Sequence, residues 1–469
     1  MIDTLISFPL SFWVTALILV AGTTAAAFRL KDGTGLPCIA VLGTVAAWYV
    51  GDALYNDYTH NHALLFTADT LESAWWQVAW FCLVFLTLTP LLHKTINARV
   101  LHRSSHVYRL VQEGPLDPVF QRQLELLFKP TMIAWLVLVA IAIFKLGDQI
   151  PYYFFPFLGY KADPWVRGRI GTGLDFILAF AGYLQIMLAA IFGLVAALTN
   201  NRTVRLMAFG CILLSWPGYV FDRTRNSILA VVVPGILAWA FVRLRFNWII
   251  KLAVLAGFFL IINAWLAFII ANRSNMSITS ALNGEGISVQ DAGKDSHHLG
   301  LNMFEELCWI NKFIDDGEYK INWGSRYFAE IVNPIPRTIW KSKPMIGIDY
   351  AMVRGQTSRS GDDTDASGVY TTISTGMIGQ GVVNFGLFFG PAFAAFLMSL
   401  WAVTLARLDL KGDNIGCTPL YALGTILTFN LGRDITLITL YTFLFGLALV
   451  WWLNKNATPQ GRRQMAVNY

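Results

Sequence analysis

Long apolar runs separated by short polar breaks dominate this chain. Eleven can be drawn, at 8–28, 36–56, 74–93, 131–147, 173–198, 206–221, 227–242, 249–270, 379–406, 416–432 and 436–453. Each approaches the ~20 residues that a helix needs to cross a ~30 Å hydrocarbon layer, with 206–221 and 227–242 among the shortest. The pattern predicts an all-α polytopic membrane protein. N-terminal membrane helices would occupy 1–271, a large extramembrane loop 272–375 and C-terminal membrane helices 376–469.

Two polar stretches carry a helical period of their own. "DPVFQRQLELLFKP", within the 94–130 loop, predicts an amphipathic helix lying at the membrane interface. "LNMFEELCWINKFID", within the large loop, puts Leu301, Phe304, Cys308 and Phe313 near one face, predicting a helix packed on the membrane part. "SRSGDDTDASG" is a polar, turn-rich loop. No internal repeat is visible.

Composition supports this class. The chain is 55% hydrophobic and 14% charged, with mean hydropathy +0.52, whereas about a quarter of the residues of a soluble domain are charged. The N-terminal stretch "MIDTLISFPLSFWVTALILV" has no basic residue ahead of its apolar run, so it is expected to be a first span and not a cleaved leader. Cys38, Cys82, Cys211 and Cys417 fall in or near spans and Cys308 in the large loop, which is neither a disulfide framework nor a zinc spacing.

Charge sorts the loops. One side of the predicted membrane holds 18 of the 35 basic residues against six acidic ones. That asymmetry predicts a cytoplasmic C-terminus and an N-terminus on the opposite, outer side. The basic pI is thus an orientation signal. No basic, aromatic-rich soluble module is present to bind nucleic acid, and none is expected as a partner.

Basic residues in outer loops run against this rule and need a cause. Three clusters stand out: Asp222, Arg223 and Arg225 in "FDRTRNS"; Arg337, Lys341 and Lys343 in "NPIPRTIWKSKP"; and Arg433 and Asp434 in "FNLGRDIT". An anionic ligand at the outer surface supplies a cause, since the planar guanidinium fork suits phosphate. Structural ion pairs, Asp222 with Arg223 and Arg433 with Asp434, are the alternative. In the middle cluster Pro334 and Pro336 restrict the backbone and favour extended geometry. Arg337 would then be presented on a rigid non-helical segment. Trp340 would anchor it at headgroup level, where Lys341 and Lys343 could do no more than meet lipid phosphates.

The segment "NPIPRTIWKSKP" resembles the signature of bacterial oligosaccharide repeat-unit polymerases, the Wzy-type O-antigen and exopolysaccharide polymerases. The matching residues are Pro336–Arg337, Trp340 and Lys343–Pro344. The flanking "YKINWGSRYFAEIV" and "TTISTGMIGQGVVNFGLFFGPAFAAFLMSL" are similar to that family's approach to the motif and its Gly-rich return to the membrane. The close likeness covers about 301–400. The chain departs from many members in having Lys341, not proline, after the tryptophan.

The resemblance implies a GT-C-like membrane glycosyltransferase of the bacterial inner membrane, acting at the periplasmic face. Its donor and acceptor would be undecaprenyl-diphosphate-linked oligosaccharides, and a chain-length regulator could be a partner. Such chemistry stabilises charge on a departing diphosphate, for which Arg337, Arg223, Arg225 and Arg433 are candidates, with Lys343. The acceptor hydroxyl needs a base; His297, His298 and Glu330 are candidates, with Glu305 and Glu306 as alternatives. Arg326, Arg354 and Arg359 could line a sugar groove, or be ordinary solvated charges.

No cofactor is expected. A metal would need oxygen ligands such as Asp362, Asp363 and Asp365, or Asp52, Asp57, His60 and His62, but neither stretch has a recognised ligand spacing. Gly376, Gly379, Gly381, Gly386 and Gly390, with Pro391, suit close helix packing or a groove for a lipid tail. Two other activities remain open: an O-antigen-ligase-like transfer, and transport of a lipid-linked glycan.

Overall fold

The computed structural model describes residues 8–55, 66–115, 117–156, 162–165, 174–221, 225–244, 247–271, 302–335, 339–344, 347–355 and 373–456. The longer helices are α1 (Leu10–Phe28), α2 (Gly35–Val45), α3 (Ala68–Ile96), α4 (His106–Glu113), α5 (Pro118–Leu146), α6 (Leu174–Leu198), α7 (Arg202–Ser215), α8 (Arg225–Ala238) and α9 (Trp248–Ala271). They continue as α10 (Met303–Asp315), α11 (Ser325–Val332), α12 (Ile348–Val353), α13 (Gly376–Leu410), α14 (Cys417–Arg433) and α15 (Leu437–Asn456). There is no strand among the described residues.

Among the described residues, eight helical stretches are long and apolar enough to cross a membrane, including Leu10–Phe28, Ala68–Ile96, Pro118–Phe154 and Leu437–Asn456. The protein is therefore an all-helical polytopic membrane protein. Ser227–Arg243 and Ile249–Ile262 are shorter apolar helices, and α14 has 17 residues.

The chain forms two compact units. One contains Arg103–Ser296, Leu408–Leu427 and Leu440–Tyr469. Here α6 and α8 pack at a glycine crossing, where a Cβ on Gly235 would lie 2.9 Å from the Gly193 carbonyl carbon. Close approach of this kind is what small residues allow between membrane helices. Arg243 donates from Nε to Ala197 O at 2.8 Å and from Nη2 to Leu198 O at 3.0 Å. It thereby satisfies carbonyls that the end of α6 leaves unpaired.

In the same unit α5 differs from the sequence expectation. The amphipathic stretch and the span 131–147 are one continuous helix, with Asp117 capping it and Pro130 inside it. The Thr131 hydroxyl donates to Leu127 O at 3.0 Å and to Phe128 O at 2.7 Å, within the turn that Pro130 disturbs. Such side-chain bonds help a membrane helix tolerate proline.

The other unit contains Met1–His102, His297–Arg407 and Thr428–Thr439. Its central feature is a reversal inside α13. Gly386 adopts φ 80° and ψ −178°, a conformation open in practice only to glycine. A Cβ on Gly390 would lie 2.5 Å from the Gly381 carbonyl carbon. In a straight helix these residues would be about 13 Å apart, so the chain folds back on itself. Residues 376–385 form a short helix and 387–410 run back alongside it, with Phe385 and Phe393 ring centroids 4.6 Å apart. The apolar run 379–406 is thus a helical hairpin and not one straight helix.

The short arm is buried. Met377, Ile378, Gln380, Val382, Val383 and Asn384 have no exposed surface. Gly379 lets it approach α10, where a Cβ would meet Ile310 Cδ1 at 2.8 Å.

Candidate functional site

The segment that follows α10 builds a cluster of charges around the short arm of the hairpin. Helix α11 enters through Trp323 and Gly324, which have φ 50° and 87°. The Tyr327 ring stacks on Phe385 at 6.2 Å, and the Asn322 N–H donates to Val383 O at 3.1 Å. These contacts turn the i, i+4 pair Arg326 and Glu330 inward, onto one face.

At the other end of the short arm, Asp434 caps the chain. Its Oδ1 accepts from the Thr375 N–H and the Thr375 hydroxyl, both at 3.2 Å. A carboxylate there also complements the helix dipole. The Ile378 N–H donates to Tyr49 Oη at 3.0 Å, satisfying a further first-turn donor. Gln380 ties the arm to the segment after α14, accepting from the Ile435 N–H at 2.8 Å and donating to Ile435 O at 3.2 Å.

The groups that meet here are Arg326, Glu330 and Asp434. Arg326 is 5% exposed and Glu330 4%. Arg326 Nη2 lies 3.7 Å from Asp434 Oδ1. Among the described residues, Arg326 Nε and Nη1, Glu330 Oε2 and Tyr327 Oη have no hydrogen-bond partner. Burial, and then the neighbouring Asp434 charge, push the Glu330 carboxyl up to about 7; Arg326 acts against them. The chain passes close over the guanidinium at Gly347, where a Cβ would lie 3.3 Å from Arg326 Nη2. The cluster therefore offers a carboxyl that exchanges its proton near neutrality, beside a guanidinium with two uncommitted nitrogens.

A second cluster sets two carboxyls against one guanidinium. Glu305 and Glu306 on α10 face Arg354, each with a closest approach of 3.4 Å. Tyr350 Oη donates to Glu306, and Arg354 stacks over the Trp309 ring at 4.2 Å. Burial raises the Glu306 pKa, with Arg354 and Tyr350 opposing. Asp52 Oδ2 accepts from the Phe304 and Glu305 N–H groups at 2.9 and 3.1 Å, capping α10. The carboxylate considered as a metal ligand is thus turned to a helix end. Among the described residues no group of three or more His, Cys, Asp or Glu side chains could hold a metal ion.

The remaining sequence candidates fall as follows. Arg433 is exposed and its Nε donates to Ser374 Oγ at 2.8 Å. It joins the cluster's rim, while Asp434 pairs with Arg326, the partner that adjacency in sequence does not suggest. Lys343 is buried, and its Nζ donates to Asn333 O at 2.8 Å and Ile335 O at 2.9 Å. It braces the proline-containing turn from inside. Trp340 lies edge-on to Phe328 with centroids 6.2 Å apart. Arg337, Arg223, His297, His298 and Arg359 lie outside the described residues, as do Asp362, Asp363, Asp365, Asp57, His60 and His62. Arg225 opens α8, its side chain likewise outside the description.

Protein-family models, curated proteins and solved structures contain no match to the chain.

Proposed function

We propose that the protein is a membrane glycosyltransferase that polymerises polyprenyl-diphosphate-linked oligosaccharide repeat units. The observation that carries the reading is Glu330: a buried carboxyl with a free oxygen, pushed up to about 7 beside the Arg326 guanidinium. It lies a few residues ahead of the Pro336–Arg337 and Trp340 motif, which supplies the substrate class by resemblance.

In this reading the bond from the donor sugar's anomeric carbon to the diphosphate oxygen breaks, and the leaving diphosphate keeps the electron pair. The acceptor hydroxyl oxygen forms the new glycosidic bond, and its proton passes to the Glu330 carboxylate. A base with a pKa near the working pH combines availability with driving force and is worth about 10²–10⁴ in rate. Arg337, with Arg326 and the rim residue Arg433, stabilises charge on the leaving diphosphate. A guanidinium held in place, as Arg326 is beside Asp434, needs no reorganisation as that charge develops. Neither a metal nor a nucleotide sugar enters the scheme.

The topology that goes with the reading has eleven spans in a GT-C-like arrangement. The cluster then lies at the periplasmic face of the bacterial inner membrane, with the C-terminus cytoplasmic.

The test is to incubate purified protein in detergent with undecaprenyl-diphosphate-linked repeat units in excess EDTA. Glycans longer than one unit, still on lipid, are expected. No elongation with any lipid-linked acceptor overturns the proposal. Elongation only on a lipid A-core acceptor points instead to ligase-type transfer.

A further inference from the structure

Helix α11 is inside out for a helix outside the candidate spans. Its buried face carries Arg326, Ala329, Glu330 and Val332. Its outward face carries Phe328, 50% exposed, and Ile331, 65% exposed. In water the opposite arrangement is expected, with the charges outward and the aromatic and branched residues covered. Trp323 and Ile339, 80% and 78% exposed, extend the same apolar surface.

Trp323 adds an independent observation. It is the one non-glycine residue at positive φ among the described residues. A bulky side chain there is a strained outlier. The strain leaves the indole exposed, not packed.

The surface continues onto the membrane part of the same unit. Phe385, at the hairpin tip, lies 3.3 Å from the position of a Cβ on Gly324 and stacks on Tyr327. Immediately after the reversal, Phe388 and Phe389 are exposed at the start of the returning arm of a candidate span. Trp80, on another candidate span, donates its indole N–H to Phe388 O at 3.1 Å. Lys341 and Ser342 are exposed beside Trp340, giving the patch a polar border of the kind aromatic residues mark at headgroup level.

We propose that the outward face of α11, with Trp323 and Ile339, is embedded in the acyl region of the bilayer, so that the Arg326–Glu330 face lies at the depth of lipid headgroups and not in open water. The occupant is lipid, since the patch meets Phe385 at the hairpin tip, next to the exposed Phe388 and Phe389 that open the returning arm of a candidate span. The inference is independent of what the cluster catalyses.

The native cysteines within the described residues, Cys38, Cys82, Cys211, Cys308 and Cys417, are all buried, so a single introduced thiol can be labelled selectively. Full-length Ile331→Cys, Phe328→Cys and the exposed polar control Glu318→Cys would each carry a bimane and be reconstituted in phosphatidylcholine–phosphatidylglycerol nanodiscs. Lipids with brominated acyl chains should quench the labels at 331 and 328 at least twofold while aqueous iodide barely affects them. The label at 318 should behave the opposite way. If Phe328→Cys fails to fold, the more exposed Ile331→Cys still decides. Iodide quenching at 331 equal to that at 318 overturns the proposal. So does protection at 331 that needs no bromolipid contact and grows with protein concentration, which would assign the face to a second copy of the chain.

Discussion

Arg326 and Asp434 face each other at 3.7 Å, from helix α11 and from the turn after α14. Through Asp434, which also accepts from Thr375, the pair joins α11 to the start of the hairpin arm. Arg326→Ala would leave Asp434 and Glu330 without their buried counter-charge. Removing one partner of a buried pair typically costs about 3–5 kcal/mol. Thermal unfolding in detergent should show a loss of that order, and adding Asp434→Asn should recover part of it.

Glu330 makes the same cluster sensitive to pH. Its carboxyl binds a proton more tightly when folded, at about 7 against an ordinary 4.5. The stability this contributes is full below pH 4.5 and is lost as pH rises through about 7. At ~1.4 kcal/mol per pH unit between the two values, the amount is on the order of 3 kcal/mol. Glu330→Gln cannot lose a proton, so its unfolding temperature should be flatter than wild type between pH 5 and pH 8. An unchanged pH dependence would contradict the assignment.

The hairpin depends on bare backbone. Gly381→Ala would drive a Cβ into the Gly390 carbonyl, and Gly390→Ala would place one 2.5 Å from the Gly381 carbonyl. Backbone cannot move aside as a flexible side chain can, so each should cost at least the ~1–3 kcal/mol of ordinary overpacking. The yield of monodisperse protein by size-exclusion chromatography checks this. Gly210→Ala, with nothing within 4 Å of the added carbon, is the matched control.

Strain at Trp323 predicts a gain. Trp323→Gly relieves a positive φ of 50° and should stabilise the detergent-solubilised protein by roughly 0.5–1 kcal/mol. In nanodiscs the same variant should lose that advantage, because the indole is then absent from the interface. Melting temperatures in the two media give the comparison.

The membrane class was legible because a run of ~20 apolar residues has few other uses. Helix α10 was legible in part: Phe304, Cys308 and Phe313 are buried as their spacing predicts, but so are Glu305, Glu306 and Asn311, and Leu301 lies outside the described residues. The hairpin was not. Gly386 and Pro391 sit in an apolar run that is equally compatible with one kinked span, and only the Gly381–Gly390 contact distinguishes the two. Nor was the choice of ion pair. Arg433 is next to Asp434 in sequence, yet the cap on Thr375 orients the carboxylate to Arg326. Glu330 could be named as a base from its loop, but its raised pKa depends on burial and on Asp434, which no local pattern encodes. The inverted polarity of α11 is visible in "SRYFAEIV" only once it is known which face meets the hairpin.

The central claim is that Glu330 and the arginines around it run glycosyl transfer from a lipid diphosphate. The most direct measurement counts undecaprenyl diphosphate released per glycosidic bond formed, with wild type and Glu330→Gln in nanodiscs at pH 8. One diphosphate lipid per bond is predicted for wild type, and turnover lowered on the order of 10²-fold or more in the folded variant. Equal turnover by Glu330→Gln, or chain growth without release of the diphosphate lipid, would contradict the account.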